Sequence, residues 1–146
     1  MKHVINILSG LAGALSLNVL HESLKHLQTD MPRVDLVGKE ALNKLTGKLG
    51  FQIESEANQY RATLAADLIS NALYYSMIGL GGKKYLWPRA IALGLSAGIG
   101  AVRLPEPLGL DQKPVNKNLK TSGLTIAYYL SGALVTGLAL AAMRKK

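Results

Sequence analysis

Apolar residues recur along this chain in four long stretches, and in each of them polar or small residues gather on one side. In the first, about residues 4–24, a helical wheel at about 100° per residue puts Asn6, Gly10, Gly13, Ala14, Asn18, His21, Glu22 and Lys25 on one half. Leu8, Leu11, Leu15 and Val19 fall on the other. A soluble surface helix turns its apolar stripe inward and its charges outward. Here the aliphatic half carries no charge, which predicts a helix with a lipid-facing back and a close-packing front. The second stretch, about 62–82, carries Thr63, Asp67, Ser70, Asn71 and Tyr74 within about 80° of one another. Lipid cannot satisfy those groups, so that face is expected to meet other helices or water.

The third stretch, about 86–104, opens with Trp87, Pro88 and Arg89, residues suited to a headgroup-level first turn. Gly94 and Gly98 with Ala101 form a small-residue stripe that lets two backbones approach. The fourth, about 121–143, has no charge and bears Thr125, Tyr129, Gly132, Thr136 and Ala139 on one stripe. Each stretch is close to the roughly 20 residues that cross a bilayer. The expected fold is therefore all-α, an integral membrane four-helix bundle forming a single transmembrane domain over residues 1–146.

The connections refine this picture. In the polar segment 26–61, Pro32 ends whatever precedes it, and Asp35 is expected to cap a short amphipathic helix over about 35–49. Val37, Ala41, Leu42, Leu45 and Leu49 recur there at helical spacing among Lys39, Glu40, Lys44 and Lys48. Too short and too charged to span, this helix is expected in the membrane interface. Gly79, Gly81 and Gly82 with Lys83 and Lys84 predict a tight turn, and Pro105, Pro107 and Pro114 predict an extended connection over about 105–119. A gapless match of Gly10–Glu22 onto Gly94–Glu106 hints at two parallel repeats.

Composition changes this reading little. A net charge of +8 would suggest nucleic acid in a soluble protein, but the cations lie between and beyond the apolar stretches, where membrane topology explains them. No nucleic-acid partner is expected. The absence of cysteine excludes disulfides and thiol chemistry. His21, Glu22 and His26 are one residue too widely spaced for the His-Glu-x-x-His zinc pattern, which puts the imidazoles about 140° apart; neither metal nor cofactor is expected. Lys2, His3 and Ala12-Gly13-Ala14 resemble a cleavable signal, but the apolar run continues to Leu20, as in a retained anchor. Lys2, Lys83, Lys84, Arg89, Arg144, Lys145 and Lys146 stand without an acid on one side, whereas the long connections mix cations with Asp30, Asp35, Glu40, Glu54, Glu56, Glu106 and Asp111. That density predicts cytoplasmic termini in a cell (inner) membrane.

The ends of the first and third spans and the start of the second fall on one membrane side. Asn18, His21, Glu22, Asp67, Asn71, Tyr74 and Arg103 therefore form the candidate polar site. Gly10, Gly13, Gly94, Gly98 and Gly132 are the expected helix-packing positions. Gly94, Gly98, Gly132 and Ala139 look too many for one bundle, so a homo-oligomer or a membrane-protein partner is expected besides the lipid bilayer. Taken alone, the sequence favours a structural or complex-forming membrane module. The alternatives are a small proton- or cation-coupled transporter or channel, and a lipid-surface enzyme with His21 or Asp67 as general base.

Overall fold

The ends of the helices are fixed by local chemistry. In the computed structural model, which describes residues 1–144, the chain forms six α-helices, with no strand among the described residues. They are α1 (Lys2–Leu24), α2 (Val34–Lys48), α3 (Glu56–Ser76), α4 (Leu86–Arg103), α5 (Lys113–Asn116) and α6 (Leu119–Met143). Ser55 caps α3 by accepting from the Asn58 amide, and Asn118 caps α6 by accepting from the Thr121 amide at 2.9 Å, each satisfying one of the free first-turn donors. Gly50 (φ +84°) and Gly81 (φ +93°) turn the chain after α2 and between α3 and α4, in a conformation that side chains resist. Helices α1 and α6 are long and apolar enough to cross a membrane. Lys145 and Lys146, the last residues of the expected basic stop, lie outside the described residues.

Three local expectations need correction. The helix expected at about 62–82 starts at Glu56, because Ser55 supplies a cap well before the apolar run. It ends at Ser76, where the chain tightens into a 3₁₀ turn over Met77–Gly79. Asp35 is not a cap: Arg33 holds that position without a side-chain bond, and Asp35 lies inside the first turn of α2. The 105–119 connection is not extended throughout. Pro114 sits in the first turn of α5, where a missing N–H leaves nothing unsatisfied.

Packing follows the small residues. Helices α1 and α6 run antiparallel through the centre; α3 lies on α1 and α4 lies on α6, while α3 and α4 barely meet. A Cβ at Gly10 would strike the Ala72 carbonyl of α3, and one at Gly13 would strike the Gly132 carbonyl and Thr136 of α6. At Gly94 it would press on Ala133, at Gly98 on the Ile126 backbone, and at Gly132 on the Tyr75 ring. All five expected packing glycines are thus used within one chain. Gly94, Gly98 and Gly132, three of the four small positions that suggested a second copy, therefore have partners inside the chain, while Ala139 stays half-buried. Parallel repeats would make α1 equivalent to α4 and α3 to α6, so the central α1–α6 contact should recur as a broad α4–α3 contact. It does not.

The seam is closed with few polar leftovers at the end that holds the termini. Tyr75 is fully buried and donates to the Tyr129 carbonyl at 2.8 Å. Arg144 donates to the buried Asn6 side chain and to the Gly79 carbonyl. The hydroxyls of Thr136 and Ser131 bond to carbonyls one turn back in α6, and Thr125 does so while also reaching Val115. The polar stripe of α6 is therefore largely absorbed by its own backbone.

Candidate functional site

The other end of the bundle is built differently. His21, Glu22 and Lys25 end α1, and the chain then turns over a few residues through the buried Pro32. The Arg33 amide donates to the Pro114 carbonyl at 2.9 Å, anchoring the start of α2 beside α5. So short a return forces the first turn of α2 against the last turn of α1. Farther along, Lys44 donates to the Leu108 carbonyl at 2.7 Å, and Glu40 accepts from the Asp111 amide at 2.9 Å. Helix α2 is thereby held across the ends of α1 and α3, where it roofs a chamber of about 290 Å³.

A charge network lines the roof and one wall. Arg33 grips Asp35 with two bonds, Nε to Oδ1 at 2.9 Å and Nη2 to Oδ2 at 2.7 Å. Lys25 reaches Glu22 at 2.8 Å and Asp35 at 3.6 Å, and lies over the Tyr60 ring, whose hydroxyl donates to Glu22 at 3.0 Å. Burial alone would raise the Asp35 carboxyl, but the His21 and Arg33 side chains beside it hold it well below the usual carboxylate range. The bond to Asp35 in turn raises the Arg33 guanidinium, although burial opposes this. His21 is buried and stands 3.5 Å from both Glu22 and Asp35. Its Nε2 is out of line for a hydrogen bond to Asp35, so the contact is an electrostatic one that exists when the imidazole is protonated.

The opposite wall is less satisfied. Asp67 accepts from Asn71 at 3.0 Å but has no cation within 4 Å among the described residues. The Thr63 hydroxyl, on the same face of α3, is buried without a hydrogen-bond partner, as is His21 Nε2. Four carboxylates line the chamber, Glu22, Asp35, Glu56 and Asp67, against three fixed cations, Lys25, Arg33 and Lys39. Of these four carboxylates, Asp67 alone has no fixed cation within 4 Å among the described residues.

Beside this chamber, α3 and α4 diverge and leave a wide groove of about 470 Å³ beneath α2 and the turn after α4. Its walls are mostly apolar, among them Val37, Ala41, Ala97, Ala101, Leu104 and Leu108. Val34, Gly38, Asp67 and Tyr129 line both spaces, so Asp67 stands where they adjoin.

Of the residues expected in the site, Asn18, His21, Glu22 and Asp67 line the chamber. Asn18 donates to the Ala14 carbonyl of its own helix at 3.1 Å and also lies beside the Asp67 carboxylate. Asn71 and Tyr74 face the groove instead, where Tyr74 spans the α3–α4 gap by donating to the Leu93 carbonyl at 3.1 Å. Arg103 is exposed at the end of α4 and lines neither space. The site expected from the sequence left out Lys25, Arg33, Asp35, Tyr60 and Thr63, although Lys25 and Thr63 stood on the polar faces of their helices and Asp35 was expected as a cap. The signal that pointed to the first three was the brevity of the connection around Pro32, which leaves the start of α2 nowhere to go but over the end of α1.

Chemically, the arrangement can accept a proton or a positively charged group at Asp67, with the Thr63 hydroxyl as a neighbouring partner. Compared with known protein families, characterised proteins and solved structures, the chain shows no match.

Proposed function

We propose that this chain is an integral membrane protein crossing the bilayer four times, with both termini cytoplasmic, and that the chamber under α2 binds a small positively charged group. The surface supports the membrane reading. Large aliphatic side chains stand outward on all four long helices: Val19 is 65% exposed on α1, Ile69 60% on α3, Ile99 50% on α4 and Leu138 59% on α6. Asn6, Ser9, His21, Thr63 and Asn71, by contrast, are buried. A water-soluble bundle has the reverse distribution. Helix α2 fits the interface, since Leu45, Leu49 and Phe51 at and beyond its end are exposed beside Lys44 and Lys48.

The observation that carries the ligand reading is Asp67, a carboxylate without a cation in a chamber where buried Thr63 and His21 atoms also lack partners. A half-buried carboxylate with no cation beside it is relieved by taking up a proton or by binding a positively charged group. A second reading, a purely structural network that holds α2 in place, draws support from the mutual pairing of Glu22, Lys25, Arg33 and Asp35.

Topology is tested with single cysteines in this cysteine-free chain. Four spans put Gln52→Cys and Lys84→Cys on opposite faces of a sealed membrane, labelled by an impermeant maleimide from opposite sides. If only α1 and α6 cross, both label from the same side. The ligand reading is tested by thermal shift of wild type and Asp67→Asn against metal ions, small organic cations and lipid headgroups. A ligand that raises the melting temperature of the wild type alone supports the reading. A variant that is merely less stable, with no ligand shifting either protein, overturns it in favour of the structural network.

A further inference from the structure

Val34, Gly38, Asp67 and Tyr129 line both the chamber and the groove, so the two spaces are continuous at Asp67. One space is roofed, mixes charged with apolar residues, and holds at Asp67 a carboxylate with no cation beside it. The other is wider, mostly apolar and open between two helices whose outer faces are aliphatic. Ligand pockets usually span about 300–1,000 Å³. The chamber alone, at about 290 Å³, takes a head group and little more. The groove, at about 470 Å³, offers room for a chain and almost no hydrogen bonds.

Resting on the ligand reading given above, we propose that the two spaces form one site for a cationic amphiphile. Its ammonium head sits at the Asp67 carboxylate and the Thr63 hydroxyl, and its hydrocarbon chain lies along the groove between α3 and α4. Two independent features meet here. Thr63 and His21 line the chamber and are each more than nine-tenths buried, and the Thr63 hydroxyl and His21 Nε2, which lie just behind its surface, have no hydrogen-bond partner. The groove has a separate cause: α3 follows α1 and α4 follows α6, so the outer pair parts wherever α2 and α5 intervene. An ammonium supplies donors to a carboxylate and a hydroxyl, the acceptors this wall presents. An anionic head would be repelled by Asp67 and would find Lys25 and Arg33 already engaged by Glu22 and Asp35.

Gly100 provides a means of blocking the groove alone. It lines that space and not the chamber, and a Cβ there meets only the Leu104 side chain at 3.4 Å, so a larger residue fills the groove without moving the backbone. The experiment measures binding of ethylamine and dodecylamine, with dodecanoate as the anionic control, to the full chain in nanodiscs. Wild type, Asp67→Asn, Thr63→Val and Gly100→Leu are compared. Wild type is expected to bind dodecylamine more tightly than ethylamine and to discriminate against dodecanoate. Asp67→Asn should weaken both amines by about tenfold or more, as befits a lost charged hydrogen bond, and Thr63→Val should weaken both by less. Gly100→Leu should weaken dodecylamine by about tenfold and leave ethylamine unchanged.

Equal binding of the two amines, with Gly100→Leu without effect, would overturn the groove assignment while leaving Asp67 as a cation site. Binding of metal ions but of neither amine, lost in Asp67→Asn, would overturn the amphiphile and keep the ligand reading. Should Asp67→Asn fail to fold, Thr63→Val and Gly100→Leu decide the matter: dodecylamine binding unchanged in both sinks the proposal.

Discussion

The two ends of this bundle are made of the same helices and obey opposite rules. At the end holding the termini, α3 and α4 are joined by a short turn, and small residues let the helices touch backbone to backbone. Gly10 abuts Ala72, Gly13 abuts Gly132, and Gly79 abuts the Asn6 side chain. The polar groups gathered there, Asn6, Arg144, Lys83 and Arg89, find partners, mostly backbone carbonyls, the buried Ser9 hydroxyl being the exception. At the other end the connections are long, α2 and α5 are inserted, and the outer helices part. Polar side chains there meet one another across a chamber, and some meet nothing. The closed end is where the helices pack most tightly, and the open end is where they leave a chamber and a groove.

Substitutions sharpen that contrast, the largest effect first. Gly13→Leu should cost about 3 kcal/mol or more, since its side chain would have to displace the Gly132 carbonyl and Thr136. Thermal unfolding in detergent checks this. A melting temperature like that of Gly100→Leu, which places the same side chain in the open half, would erase the distinction between the two ends. Asn6→Ala removes the buried acceptor for Arg144 and should cost about 1–2 kcal/mol; an unchanged stability would mean that the closed end does not depend on its polar lock.

Asp35→Asn should cost about 1–2 kcal/mol near neutral pH, and its effect should depend on pH. The Asp35 carboxyl is held below its ordinary value in the folded protein. Its contribution is therefore present in full above the unfolded value of about 4 and is lost as pH falls below it. The gap in melting temperature between wild type and variant should narrow on acidification from pH 6 to pH 3; a gap that stays constant would remove Asp35 from the network. Gly123→Ala makes the smallest change. A Cβ there meets nothing within 4 Å, so the gain in helix propensity should stabilise α6 by about 0.5–1 kcal/mol.

Much of this molecule could be read from periodicity. The apolar and small-residue faces of α1 and α4 were legible because a helix repeats its surface every three to four residues, whatever surrounds it. Asn6, Gly10, Gly13, Ala14 and His21 of the polar half of α1 are buried, joined by Ser9 and Leu17, and Gly94 and Gly98 are buried on α4 as their spacing implied. The start of α3 was less legible, because its first turns are polar and only the Ser55 cap marks them. In the site, Asn18, His21, Glu22 and Asp67 could be found because polar residues within apolar runs stand out. Arg33 and Asp35 could not, because charges in a connection look like ordinary solvated charges until the fold turns them inward, and Lys25 at the very end of α1 looks the same.

What the sequence determined by itself is local: which segments are helical, which face of each is aliphatic, and where small residues allow close approach. These follow from side-chain chemistry and the pitch of the helix. Which helix those faces meet was decided only by the tertiary structure. It set α1 against α6 at the centre, used every packing glycine within one chain, and let α3 and α4 diverge. It also folded α2 back over the end of α1, which gave Asp35 its partners and left Asp67 without one. Pairings of this kind depend on how several faces compete for the same neighbours, and no single stretch of the chain contains that competition.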